Sequence, residues 1–276
     1  MQEHRISVTR SARYYTSGDG SREVADVWFV LHGYGQLAGR LLRHFESLAG
    51  KGRLVVAPEG LSRFYVGEMS EGAAARKVGA SWMTREDRLA EIADYVRYLD
   101  AVYATVRTGR ERSRARVTVL GFSQGTATAC RWLAQGVAHA ERLILWGGEI
   151  PPDLDLVAAR ERLAGVDLTL VAGRRDEFIT PKILARERER LTTHGISFRV
   201  VEFDGGHEID ERVLRELGEL RENGKRETGD VGAVTFPVSR LPFLRGRHRV
   251  SRRRAAYRRP PRARGRAPVR RRPRER

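Results

Sequence analysis

Three residues of this chain have the side chains that nucleophilic acyl transfer needs, in an order that suits it. Ser123 lies in Gly121-Phe122-Ser123-Gln124-Gly125, a G-x-S-x-G pattern in which a strained strand-to-helix turn lifts the hydroxyl above a sheet edge. A serine hydroxyl is a weak nucleophile at neutral pH, so it needs a base within hydrogen-bond reach and a third group that orients the base. Downstream stand Asp176, in "GRRDEFITP", and His207, in "DGGHEID". Each follows an apolar run and precedes a helical pattern. The separations, 53 and 31 residues, each leave room for about one or two strand-helix units, which would put all three residues on one rim of a sheet.

Each of the three also has a plainer reading. A serine between glycines suits an ordinary turn, and Asp176 suits a helix N-cap. Glu177 and Asp204 compete with Asp176 as the acid, and His207 reads equally as a loop histidine. Of the seven histidines, His32 is the other one that follows an apolar run and borders a glycine turn. It precedes Ser123 and so is out of order for the base. His32 instead opens "LHGYGQ". Acyl transfer develops charge on a carbonyl oxygen that two backbone N–H groups stabilise. The expected donors are Gln124, just after the serine, and Tyr34 in the His-Gly loop.

The elements that would position these residues are visible as short apolar runs at 27–31, 53–58, 116–120, 142–146, 168–173 and 197–203. Apolar residues at consecutive positions suit strands covered on both faces, as in a mostly parallel sheet. The helical stretches between them supply the crossovers that parallel strands require. "RISVTRSARYY" alternates and predicts an antiparallel edge hairpin. In "MTREDRLAEIADYVRYLDAVYATV" Thr84 and Asp87 suggest a capping box, and Leu89, Ile92, Ala93, Val96, Leu99, Tyr103 and Val106 make one apolar stripe. A helix is expected from Thr180-Pro181 to about Gly195. A closing helix should carry Ile209, Val213, Leu214, Leu217 and Leu220. The class is α/β, with helices on both faces of the sheet.

The net charge of +17 over 276 residues first suggests a nucleic-acid partner. Its distribution argues otherwise. From Arg221 onward twenty Lys and Arg face four Asp and Glu, while the first 220 residues hold 32 basic and 31 acidic ones. A nearly neutral globular domain over 1–221 and an Arg/Pro-rich basic tail over 222–276 are therefore expected. The tail is poor in core-forming residues and predicted to be disordered. It reads either as a polyanion-binding element or as an accidental extension of the coding frame. The lone Cys130 excludes an intrachain disulfide and is expected buried. No zinc-ligand pattern is present. No segment reaches the ~20 apolar residues of a membrane span, and with no signal-like N-terminus the expected compartment is the cytoplasm.

With these residues in place, the sequence resembles the α/β-hydrolase superfamily, and within it the phospholipase/carboxylesterase group that includes acyl-protein thioesterases. The motifs "LHGYGQ", "VVAPEG", "GASWMT", "LGFSQG", "AGRRDEFI" and "GGHEI" carry the resemblance over about residues 27–209. It implies a serine esterase with Ser123, Asp176 and His207 as triad and the Tyr34 and Gln124 amides as oxyanion hole. Gln36 stands where members of the group often have an acidic residue, and Trp82-Met83-Thr84 where they have Trp-Phe-Asp. Phe64, Tyr65 and Trp82 are expected at the acyl site.

The expected reaction is hydrolysis of a small-molecule carboxylic ester, thioester or lysophospholipid through an acyl-serine, with neither metal nor organic cofactor. Two other readings compete with it. One is a polyanion- or nucleic-acid-binding protein that uses the hydrolase domain as scaffold, and the other is a peptidase or amidase on the same three residues.

Overall fold

A computed structural model describes residues 1–18, 24–50, 52–67, 76–108 and 114–219, together with the backbone of Val234–Thr235. The apolar runs form the strands β2 (Asp26–Leu31), β3 (Arg53–Pro58), β6 (Arg116–Phe122), β7 (Arg142–Trp146), β8 (Asp167–Gly173) and β9 (Phe198–Phe203). Neighbours among these six run parallel. With β1 (Tyr14–Gly18) antiparallel to β3 at one edge and β10 (Val234–Thr235) beside β9 at the other, the order is β1-β3-β2-β6-β7-β8-β9-β10.

Consecutive apolar residues are required because both faces are covered. Val27, Phe29 and Leu31 of β2 point into a core shared with α2 (Arg88–Val106), α3 (Gln124–Gln135), α4 (Leu156–Leu163) and α5 (Pro181–Thr193). Trp28 and Val30, one residue out of phase, meet α1 (Ala38–Arg43) and α6 (Glu211–Glu219) on the other face. Side chains alternate across a strand, so each face takes every second residue. Cys130 lies in the first of these cores, and burial pushes its thiol up to about 12, which leaves it without nucleophilic character at neutral pH.

The chain leaves β2, runs out to β3, and returns to β6 on the other side of β2. In open α/β sheets, loops at the C-terminal strand ends diverge at such a reversal, and ligands commonly bind there. A two-stranded antiparallel hairpin, β4 (Ser62–Val66) and β5 (Lys77–Ser81), stands apart from the main sheet.

Three local expectations are corrected. The N-terminal alternation yields one edge strand, β1, and no hairpin: residues 1–13 form no strand, and the Arg13 guanidinium instead pairs with buried Glu59 at 2.7 Å. Thr84 and Asp87 form no capping box. Asp87 takes a left-handed φ of 45° without a side-chain cap, and the Glu91 carboxylate accepts the Thr84 N–H at 2.6 Å. The α2 stripe meets the core only from Ile92 on, and Ala93 is exposed instead of joining it. Leu89, in the first turn, is exposed, while Tyr95 and Val102 are buried. The helix at Thr180-Pro181 has the expected form, with the Thr180 side chain capping Ile183 N–H and Gly195 left-handed after its end.

Met1–Pro237 forms one compact unit. The expected boundary at 221/222, Leu220 and nearly all of the basic tail lie outside the described residues. Among the described residues no helix is long and apolar enough to cross a membrane.

Candidate active site

Ser123 occupies the junction between β6 and α3 with φ 54° and ψ −118°. A non-glycine residue at positive φ is strained. The surrounding contacts enforce it. Ser123 N–H donates to the Trp146 carbonyl at 2.9 Å, and its own carbonyl accepts the Thr126 N–H and hydroxyl. Both glycines of the pentapeptide are needed for space: a Cβ at Gly121 would lie 2.2 Å from the Gly125 carbonyl oxygen, and one at Gly125 would lie 2.2 Å from that of Leu31. The elbow is thus wedged directly against β2.

Asp176 and His207 come from the loops after β8 and β9 and meet beside this elbow. Asp176 Oδ1 accepts the backbone N–H groups of Phe178 at 2.8 Å and Ile179 at 3.0 Å. Its Oδ2 lies 2.9 Å from His207 Nδ1, and His207 Nε2 lies 2.9 Å from Ser123 Oγ. An ionised carboxylate only accepts, so Nδ1 carries the imidazole proton and Nε2 is free to accept from the serine hydroxyl. The Asp176 side chain is buried and that of His207 mostly so. Trp146 ties the elbow to the loop after β9: its carbonyl holds Ser123 N–H, and its indole N–H donates to the Glu208 carbonyl at 2.8 Å. The competing acids stand elsewhere. Asp204 pairs with Arg175 on the exposed side of the loop, and Glu177 is exposed.

Tyr34 sits in the loop after β2, which β5 holds in register: Gly35 N–H donates to the Ala80 carbonyl, and Ala80 N–H to that of Gln36. A Cβ at neighbouring Gly33 would approach Ser123 Cβ to 3.0 Å, so the loop backbone passes next to the serine. Gln124 is the first residue of α3, where an N–H has no intrahelical acceptor. Its side chain staples the elbow to the end of β5, donating to the Met83 carbonyl at 2.8 Å and accepting from Trp82 N–H at 3.1 Å.

His32 is a buried part of this support. Gly60 N–H donates to its Nε2, so Nδ1 carries the proton and donates to the Gly33 carbonyl at 2.8 Å. Burial pushes its pKa below the ordinary histidine value. Trp82 stacks on His32 with ring centroids 4.9 Å apart and donates from its indole N–H to the His32 carbonyl at 2.8 Å. Trp82 is therefore held beneath the loop, away from solvent. Phe64 packs against the exposed Tyr34 ring at 5.2 Å, while the Tyr65 ring, on the opposite face of β4, lies under the Arg76 guanidinium at 4.4 Å. Among the described residues no group of three or more His, Cys, Asp or Glu is placed to hold a metal ion.

Two neighbours of the site escaped the sequence reading. Phe178 packs on His207 with ring centroids 4.6 Å apart, and Gly147, in a left-handed turn after β7, faces the same imidazole. The signals were there: Phe178 sits two residues after Asp176, and Gly147-Gly148 follows a strand directly, as Gly205-Gly206 follows one after Asp204.

No protein-family model matches this chain, and no curated protein matches it. Solved structures do. Acyl-protein thioesterase 2 from Zea mays is 17% identical with a TM-score of 0.56, over 76% of this chain and 97% of that one. A carboxylesterase from Mesorhizobium loti is 19% identical with a TM-score of 0.54, over 75% and 93%. The chain has the α/β-hydrolase fold. A third structure with this fold, esterase PE8, is 19% identical with a TM-score of 0.52, over 76% and 97% of the two chains.

Proposed function

We propose that this α/β-hydrolase is a serine esterase that cleaves carboxylic esters or thioesters through an acyl-Ser123 intermediate. One observation carries the reading: a single imidazole, His207, is hydrogen-bonded to Ser123 Oγ and to the buried Asp176 carboxylate, both at 2.9 Å. His207 Nε2 takes the serine proton as Oγ attacks the acyl carbon. It returns that proton to the leaving atom, and then activates a water that releases the acid. Asp176 holds the required tautomer and stabilises the imidazolium. The N–H groups of Tyr34 and Gln124 receive the tetrahedral oxyanion. In this reading the catalytic groups all belong to the protein, and water is the second reactant.

The test is labelling by a fluorophosphonate, which phosphonylates an activated serine. Stoichiometric labelling of the wild-type protein that is lost in Ser123→Ala and His207→Ala supports the reading. A folded wild-type chain that resists labelling and hydrolyses no aryl ester overturns it.

The charge pattern supports a second property. Residues 238–276 contain seventeen arginines and one glutamate, a composition that binds polyanions by counterion release with little sequence preference. We assign any such binding to this tail and not to the hydrolase unit, whose acidic and basic residues nearly balance.

A further inference from the structure

Phe178 keeps 58% of its surface exposed although its ring lies against His207, with centroids 4.6 Å apart and planes at 61°. The other neighbouring ring, Phe122, is 5.0 Å from the imidazole and buried. Phe122 therefore acts as core, whereas Phe178 keeps most of its surface exposed beside the imidazole. Its position is also well defined. Phe178 N–H donates to Asp176 Oδ1, the buried next residue Ile179 donates to the same oxygen, and α5 begins two residues later. The carboxylate that orients His207 thus also fixes the backbone from which the Phe178 ring projects.

The side of the substrate that meets this ring follows from proton bookkeeping. In acylation the Ser123 Oγ–acyl bond forms, the bond from the acyl carbon to the leaving oxygen breaks, and the proton taken by His207 Nε2 goes to that oxygen. The leaving oxygen must therefore come within about 3 Å of Nε2, and its substituent projects past the imidazole edge. The carbonyl oxygen points away, toward the Tyr34 and Gln124 amides. We infer that Phe178 is a specificity-determining wall for the leaving group, and that the preferred substrates are esters of apolar, flat alcohols of the aryl or arylalkyl class. The inference rests on the acyl-serine reading above. A flat apolar group buries the exposed ring in a stacked or edge contact, whereas a polyol gains no partner there and loses hydration.

The experiment uses the full-length chain, its Phe178→Ala and Phe178→Tyr variants, and two substrates with one acyl group, phenyl butyrate and glyceryl monobutyrate. Taking the ratio of wild type to variant for each substrate cancels the intrinsic reactivity of the ester. Phe178→Ala is expected to lower kcat/KM on phenyl butyrate by about tenfold or more and on the glyceryl ester by less than about twofold. Phe178→Tyr, which keeps the ring, should restore the aryl preference. Equal losses on the two esters would mean that the ring acts on His207 and would overturn the proposal. So would a loss that grows with acyl length from phenyl acetate to phenyl octanoate, which would place Phe178 on the acyl side, or a wild-type preference for the glyceryl ester. If the wild type is labelled by fluorophosphonate at Ser123 but does not cleave phenyl butyrate, the leaving-group assignment fails alone. If it is neither labelled nor active on any aryl ester, the acyl-serine reading fails with it.

Discussion

Gly147 stands so close to His207 that a Cβ at residue 147 would lie 3.3 Å from both Cε1 and Nδ1 of the imidazole, and 3.4 Å from Asp176 Oδ2. Its φ of +59° adds a second restriction, because an L-residue in the left-handed region costs about 1–2 kcal/mol. Gly147→Ala is expected to lower kcat by about 10- to 100-fold, since small misplacements of a reacting group carry large rate penalties. The folded state should lose only about 1–2 kcal/mol. Steady-state kinetics together with denaturant unfolding separate the two effects. An active Gly147→Ala enzyme would mean that the imidazole has slack in its pocket.

Asp176→Asn tests the acid by tautomer. The backbone N–H groups of Phe178 and Ile179 both donate to Oδ1, so the amide of an asparagine would keep its oxygen there and turn its NH2 toward His207 Nδ1. That geometry favours the proton on Nε2, where it blocks acceptance from Ser123. A fall in kcat of roughly 10⁴ is expected, against roughly 10⁴–10⁶ for Ser123→Ala or His207→Ala. Near-normal turnover by a folded Asp176→Asn would move the acid role to another carboxylate, and Asp204 would be the next to substitute.

The features legible in the sequence are those that one local rule determines. Strands β2, β3, β6, β7, β8 and β9 are covered on both faces, so each reads as a mostly apolar run, interrupted only by Thr118, Thr169 and, in β9, by Arg199 and Glu202. Ser123 is readable because a strand-to-helix turn this sharp excludes a Cβ at Gly121 and Gly125. Features set by tertiary contacts are not legible in this way. The six-residue α1 is too short to display a helical period. The β4–β5 hairpin owes its place to pairing of Gln36 with Ala80, and neither side of that pair announces the other. At the start of α2 the reading expected Thr84 to cap the helix with its side chain. Instead Glu91, inside the first turn, accepts from Thr84, a reversal that depends on the left-handed Asp87. Phe64, Tyr65 and Trp82 looked alike as aromatics near the site. Only the hydrogen bond from the Trp82 indole to the His32 carbonyl reveals that Trp82 belongs to the support beneath it.

His32 should make the fold sensitive to acid. Its burial, only partly offset by the bond to Gly33 and the nearby Glu59 carboxylate, holds its pKa below the ordinary 6.5. An unfolded His32 takes up its proton near that value, while the folded residue resists until lower pH. Between the two the unfolded chain binds more protons, so this contribution to stability is complete above about pH 6.5 and declines as the pH falls. The thermal midpoint is expected to drop between pH 7 and 5, and His32→Gln, which keeps an acceptor for Gly60 N–H, should show a lower midpoint but a shallower decline. An unchanged slope in that variant would assign the acid sensitivity to other groups.

The basic tail offers a test in which charge and fold separate. Val234–Thr235 pair in parallel with Val201–Glu202 of β9, and the compact unit runs to Pro237, so a cut just after α6 would remove a strand from the sheet edge. A cut after Pro237 spares it. That cut still removes seventeen arginines and one glutamate, which is +16 of the +17 total. A chain ending at Pro237 is therefore expected to keep the thermal midpoint and the kcat/KM on a small neutral ester within about twofold, because each residue proposed for catalysis precedes α6. Retention on heparin should vanish, together with the steep decline of polyanion affinity with salt that many phosphate- or sulfate-bound arginines produce. A shorter chain ending at Gly224 should behave alike in charge but melt at a lower temperature, by the contribution of the β9–β10 pairing. If the Pro237 chain instead precipitates or loses ester turnover, residues 238–276 contribute to the folded enzyme, and polyanion binding ceases to be their sole assignment.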